Sequence, residues 1–129
     1  MVDDDAQAAV LQTAMRERGM APHRLSASNV NHLYWTVAQM VAHHTCGGCN
    51  LEPGDIFGSG TISGPTPENY GSIAELSFDG TKDITLASGE IRRWVQDGDD
   101  IYLRAHGRRE GFVGIGFGDC CARMVAGKS

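Results

Sequence analysis

Apolar residues recur along this chain at two different spacings, and the change of texture falls near Pro53-Gly54. From Asp5 to Gly19, Val10, Leu11, Ala14 and Met15 fall on one helical face and alanine is abundant, so pattern alone predicts an amphipathic helix. Gly19-Met20-Ala21-Pro22 breaks it. Ser26 to Asn29 then offers N-cap residues ahead of a second helix from about His32 to Thr45, where Leu33, Val37, Met40, Val41 and His44 repeat at helical spacing. Gly47-Gly48 supplies the positive φ that ends it.

Beyond Pro53-Gly54 the runs are short and β-like, punctuated by glycine and aspartate. Ile56-Phe57 leads into a glycine loop, and Pro65 and Pro67 hold the next link extended. Ser72 to Phe78 alternates as a strand would, with Ala74, Leu76 and Phe78 on one face and Glu75 on the other. Asp79-Gly80 is a tight-hairpin dipeptide that returns the chain through Lys82 to Leu86. Ser88-Gly89 turns into Ile91 to Val95, and Asp97-Gly98 leads to Ile101, Tyr102 and Leu103. Gly111 to Phe117 gives a last glycine-laced strand before Cys120 to Val125. With no internal repeat and no long linker, the expectation is a single domain over 1–129, mainly β with one clear helix.

Composition supports this and narrows the function. At 129 residues with 41% hydrophobic content the chain can close one core, and 17 glycines, against a usual share of about 7%, mark turns and close backbone approach. The formal net charge is -5, with acidic runs at Asp3 to Asp5 and at Asp97, Asp99 and Asp100 and no basic stripe, which disfavours nucleic acid. No apolar run approaches the ~20 residues needed to span a bilayer, and the N-terminus is acidic where a signal peptide is basic. The chain therefore reads as cytoplasmic, with no membrane partner. Four cysteines, two of them adjacent at Cys120-Cys121, read as reduced thiols.

Chemistry concentrates in Gly58-Ser59-Gly60-Thr61-Ile62-Ser63-Gly64. Three glycines and three hydroxyl residues strip bulk from the backbone, so that N–H groups and Oγ atoms can approach an anionic ligand. A plain connection between strands is the competing reading. Cys46-Gly47-Gly48-Cys49 after His43-His44 invites a zinc site or a redox pair. This stretch supplies at most three of the four ligands of a structural zinc site, and redox pairs of this form start a helix rather than follow one. His43 and His44 suit capping or packing at a helix C-terminus, and Cys120-Cys121 reads as a buried pair of small residues. Gly127-Lys128-Ser129 resembles the end of a phosphate loop but lacks the earlier glycine at Ala122.

Many ordered blocks carry a resemblance to one family. Leu33-Tyr34-Trp35-Thr36, Gln39-Met40, Ala42-His43-His44-Thr45, Cys49-Asn50-Leu51, Pro53-Gly54-Asp55, Gly58 to Pro65, Gly71-Ser72 and Glu75-Leu76 together resemble the C-terminal part of the fumarylacetoacetase family. Gly80-Thr81-Lys82, Asp97-Gly98-Asp99 and Gly114-Ile115-Gly116-Phe117-Gly118 continue it, from about Leu11 to the end. The resemblance implies a partial mixed β-roll, so that Ala9 to Arg18 becomes a strand despite its helical pattern. It implies hydrolysis of the carbon–carbon bond of the diketo acid 4-fumarylacetoacetate, giving fumarate and acetoacetate in tyrosine and phenylalanine catabolism. Gly60 and Thr61 would contact the substrate, and Glu75 would be the catalytic carboxylate that orients a water-activating histidine. A calcium or magnesium ion and a homodimer belong to the parent enzyme.

The residues missing from the pattern matter equally. The histidine, the metal-binding carboxylates, and the lysine, arginine and glutamine that steady the leaving carbanion lie upstream of the matched region in that family. The chain is therefore expected to hold no metal ligands and to be inactive alone. A free-standing non-catalytic binding module and a related keto-acid decarboxylase or hydratase are the alternatives.

Overall fold

The structure, a computed structural model, describes residues 3–11 and 13–127, with side chains from residue 14 on. Its main layer is a four-stranded antiparallel sheet in the order β2-β1-β5-β6, built from β1 (Asp3–Leu11), β2 (His23–Asn29), β5 (Asp100–Arg108) and β6 (Ile115–Arg123). A two-stranded ribbon joins β3 (Ile84–Thr85) to β4 (Ile91–Arg92). Among the described residues one helix is long, α2 (Val37–Cys46), beside the short α1 (Thr13–Glu17) and α3 (Ile73–Leu76). The fold is mainly β, as the sequence predicts.

The first segment satisfies both readings in part. Backbone pairing runs from Asp3 opposite Arg108 to Leu11 opposite Asp100, so this stretch is strand. Strand does not continue to Arg18, because Thr13–Glu17 turns as a helix that places Met15 in the interior. The helical face assigned to Val10 and Leu11 lies outside the described side chains, as do Lys128 and Ser129.

Ser26 to Asn29 does not cap the long helix. These residues are strand, paired with Asp5 to Ala8, and Ser26 and Ser28 are buried. A single 3-10 turn at Val30–His32 follows, and the helix begins only after Thr36. Thr36 forms a capping box: its Oγ1 accepts the Gln39 N–H at 3.3 Å, and the Gln39 side chain accepts the Thr36 N–H at 2.9 Å. Periodicity alone overextended the helix by five residues at its start, since Leu33 to Trp35 continue the apolar rhythm without helical backbone.

Glu75 belongs to α3, not to a strand. Ser72 caps that turn, accepting the Glu75 N–H at 3.2 Å. The Asp79-Gly80 dipeptide closes this helix instead of making a hairpin: Phe78, Asp79 and Gly80 all take positive φ, and the Asp79 N–H reaches the Ala74 carbonyl at 2.8 Å. The true hairpin is the next one, where the Gly89 N–H bonds Leu86 O and the Leu86 N–H bonds Glu90 O. The final strand begins at Ile115 and runs through Cys120-Cys121, so these two cysteines are exposed rather than buried.

Within the acidic run Asp97 is exposed, whereas Asp99 and Asp100 form an internal junction. Asp99 is 1% exposed and accepts two bonds from Arg92 at 3.2 Å and one from the Gln96 N–H at 2.9 Å. Asp100 joins Arg16 of α1 and Arg123 of β6, each at 2.7 Å. Hydrogen bonding from Arg123, with Arg16 adding to it, holds the Asp100 carboxyl below its usual range. Met15 and Leu86 are the buried apolar side chains among the described residues. Large apolar residues elsewhere face outward, including Val37, Ile56, Val113, Ile115 and Phe117.

Candidate functional site

The glycine loop forms one wall of a cleft of about 700 Å³, facing Leu103, Arg104 and Phe117 of the sheet. Gly60 and Thr61 both line it, whereas Ser59 does not and Gly58 lines a separate cleft with Trp35, Met40, His44 and Phe57. Gly60 has φ 77, a left-handed conformation that costs an L residue roughly 1–2 kcal/mol, so glycine is required there by backbone geometry. Gly64 is required by space: a Cβ would meet Asn69 Cβ at 2.6 Å and the His32 ring at 2.9 Å.

The loop is anchored at that end. The Gly64 N–H bonds Asn69 O at 2.9 Å, and the Asn69 Nδ2 donates to Ala27 O of β2 at 2.8 Å. At its other end Phe57 meets His44 edge-on, ring centroids 5.1 Å apart, so the packing role predicted for His44 is realised.

Glu75 does not line the cleft but stands behind its wall. Ser63 Oγ donates to Glu75 Oε2 at 2.8 Å and Ser72 Oγ donates to the same oxygen at 2.9 Å. Ser63 Oγ also accepts the N–H of Gly71, a cleft-lining residue, at 3.2 Å. The Ser63 hydrogen bond is the main cause that holds the Glu75 carboxyl below its ordinary value, partly offset by burial and helped by Ser72 and the backbone N–H groups of Gly71 and Ser72. Glu75 is thus an anion at neutral pH, half-buried and tied to the loop. The structure brings Gly60, Thr61 and Glu75 into one assembly, with Ser63 as the joint.

Sequence reasoning missed the roles of Ser63, Ser72, Asn69 and Ser28. The pattern Ser72-x-x-Glu75 is a capping-box signature that was available in the sequence. Ser28 carried no signal: it lines the cleft from β2, and its Oγ is buried with no hydrogen-bond partner. Arg104 offers the cleft no free cation, since its guanidinium is engaged by Asp119 at 2.7 and 2.9 Å.

No group of three His, Cys, Asp or Glu side chains that could hold a metal comes together among the described residues. The calcium or magnesium of the parent enzyme therefore finds no matching ligand set among the described residues. Cys46 and Cys49 are free and exposed at the C-terminal end of α2, where Cys46 Sγ contacts His43 O at 3.0 Å. No helix of the described residues is long and apolar enough to cross a membrane.

The chain is similar to fumarylacetoacetases over most of its length. It is 47% identical over 98 residues to the Homo sapiens protein, covering 76% of this chain and 23% of that protein. The Dictyostelium discoideum protein is 48% identical over 101 residues, covering 77% and 23%, and the Caenorhabditis elegans protein 45% over 116 residues, covering 89% and 27%. The chain spans about a quarter of the length of these relatives, corresponding to their C-terminal part. Residues 5–125 match the family described as fumarylacetoacetate (FAA) hydrolase C-terminal, and the chain belongs to that family.

Proposed function

We propose that this chain supplies one wall of the active site of a fumarylacetoacetase, the enzyme that hydrolyses the carbon–carbon bond of 4-fumarylacetoacetate to fumarate and acetoacetate. The observation that carries the reading is the coupling of a cleft wall at Gly60-Thr61 to an ionised carboxylate at Glu75 through Ser63. Gly60 leaves the backbone open, and the N–H groups there with the exposed Thr61 hydroxyl meet a carboxylate or keto oxygen of the diketo acid. The apolar sheet residues opposite, Leu103 and Phe117, cover its carbon skeleton.

Glu75 acts through a partner. A carboxylate bonded to an imidazole fixes its tautomer and stabilises the imidazolium formed when water loses a proton. Water then adds to a substrate carbonyl, the carbon–carbon bond breaks, and its electron pair leaves with the acetoacetate fragment, which takes up a proton. The imidazole and the metal-binding carboxylates come, in this reading, from sequence outside this chain. The whole domain, its homodimer and its cytoplasmic setting belong to the same proposal.

The test joins this chain to the upstream portion of human fumarylacetoacetase, replacing the matching C-terminal segment, and follows loss of the diketo acid spectrophotometrically. Turnover by the chimaera, abolished by Glu75→Gln, with none by the chain alone, is the expected result. Turnover by the isolated chain, or a well-folded chimaera that binds but never cleaves the substrate, would overturn it.

A further inference from the structure

We propose that Ser63 and Ser72 are positioning residues that clamp Glu75 by a single oxygen, Oε2, and so present Oε1 to the group on which Glu75 acts. The inference rests on the proposed role of Glu75 and adds to it the means by which that carboxylate is aimed.

Both hydroxyls have their direction set by backbone. Ser63 Oγ takes the Gly71 N–H and Ser72 Oγ takes the Glu75 N–H, each at 3.2 Å, while each O–H is given to Oε2 at 2.8 and 2.9 Å. A hydroxyl carries one proton to donate, so these two donors are spent on one oxygen. Oε1 receives no side-chain donor among the described residues, although the backbone N–H groups of Gly71 and Ser72 also favour the carboxylate. An ionised carboxylate accepts both bonds, whereas a protonated Oε2 would have to donate to one serine and lose the other's proton. The clamp therefore fixes both the charge and the rotation of the carboxyl.

The two serines divide the work. Ser72 reaches Glu75 within one helical turn and orients it relative to α3. Ser63 reaches it across twelve positions from the glycine loop, so it ties the carboxylate to the wall that carries Gly60 and Thr61. Displacing the loop would turn Glu75, and turning Glu75 would displace the loop.

The test uses the same chimaera and the substitutions Ser63→Ala and Ser63→Thr. Loss of an orienting partner typically costs about 10–100-fold in activity, so Ser63→Ala should lower kcat by at least about tenfold with KM little changed. Ser63→Thr, which keeps the hydroxyl, should restore most of it at an unchanged melting temperature. A Ser63→Ala chimaera with full kcat, or a Thr variant as slow as the Ala variant, overturns the clamp and leaves the hydrolase reading standing. If the wild-type chimaera folds and binds substrate but does not cleave it, the hydrolase reading falls and a crystal structure of the chimaera decides the clamp. Both serine hydroxyls on Oε2 uphold it; one serine on each oxygen, or Ser63 turned away, overturns it.

Discussion

Replacing Gly64 by alanine should damage this chain more than either neighbouring substitution in the same loop, for a reason that distance makes quantitative. The added methyl would lie 2.6 Å from Asn69 Cβ and 2.9 Å from two atoms of the His32 ring. Carbon atoms rest at about 3.5–4.0 Å, so the loop or the turn at Pro67–Asn69 must retreat by roughly 1 Å. Overpacking of this kind costs about 1–3 kcal/mol. The retreat also strains the Gly64 N–H bond to Asn69 O, 2.9 Å long, whose loss adds about 1 kcal/mol. Gly64→Ala is therefore expected to destabilise by about 2–4 kcal/mol. Gly60→Ala meets nothing within 4 Å but must hold φ at 77, for about 1–2 kcal/mol. Gly58→Ala meets neither obstacle and should fall within about 0.5 kcal/mol of wild type. Urea denaturation of the three variants gives the order, and hydrogen exchange at the Gly71 amide reports whether Ser63 has moved. A Gly64→Ala chain as stable as Gly58→Ala, or one in which the Gly71 amide stays as protected as in wild type, would refute the reasoning.

Asp99→Asn leaves the shape of a buried carboxylate but removes the charge that faces Arg92. Because breaking a buried pair from one side costs about 3–5 kcal/mol at full desolvation, and Glu90 remains 3.3 Å from Arg92, a loss of about 2–4 kcal/mol by denaturation is expected. Glu75 contributes stability of defined sign. Its folded pKa is depressed, so the unfolded chain binds more protons, and the contribution is present above the ordinary value of 4.5 and lost as pH falls through the lower folded pKa. Asp100 shifts the same way, so Glu75 is isolated by subtracting a Glu75→Gln titration; a stability difference between the two chains that does not shrink on acidification would contradict the assignment. Ser28→Ala removes a buried hydroxyl that has no partner, so the unliganded chain should be unchanged or gain up to about 1 kcal/mol, and a clear loss would mean a missed bond. Thr36→Ala removes the capping box of α2 and should cost about 1 kcal/mol, read as lower helicity by circular dichroism.

Legibility along this chain followed backbone chemistry more than hydrophobic rhythm. The Gly47 end of the long helix, the Ser88-Gly89 turn and the glycine loop were readable because glycine, proline and short polar residues act on their own backbone, with no need of a partner. The family resemblance indicated strand structure near the start, though over Ala9 to Arg18 rather than Asp3–Leu11, and singled out Gly60, Thr61 and Glu75, which spacing alone could not do. What stayed hidden depended on contacts far apart in sequence. Ser63 and Glu75 meet across a loop, Asn69 reaches back to Ala27, and Asp99 and Asp100 are buried because arginines from three elements converge on them.

The failures of periodicity share one cause. An apolar rhythm identifies an element by the face it buries, and in this chain much of that face is not buried by the chain itself. Val37 on α2 is 72% exposed, Ile56 ahead of the loop 95%, and Val113 and Phe117 at the last strand 92% and 74%. Leu33 to Trp35 could then extend a helical rhythm without forming a helix, and Ala74, Leu76 and Phe78 could mimic a strand while folding as a turn of helix and its cap. Where these elements begin is set locally by the caps at Thr36 and Ser72. It follows that the caps, not the apolar stripes, set where these elements begin, and the serine that caps the helix of Glu75 also holds its carboxylate, together with Ser63 from the loop.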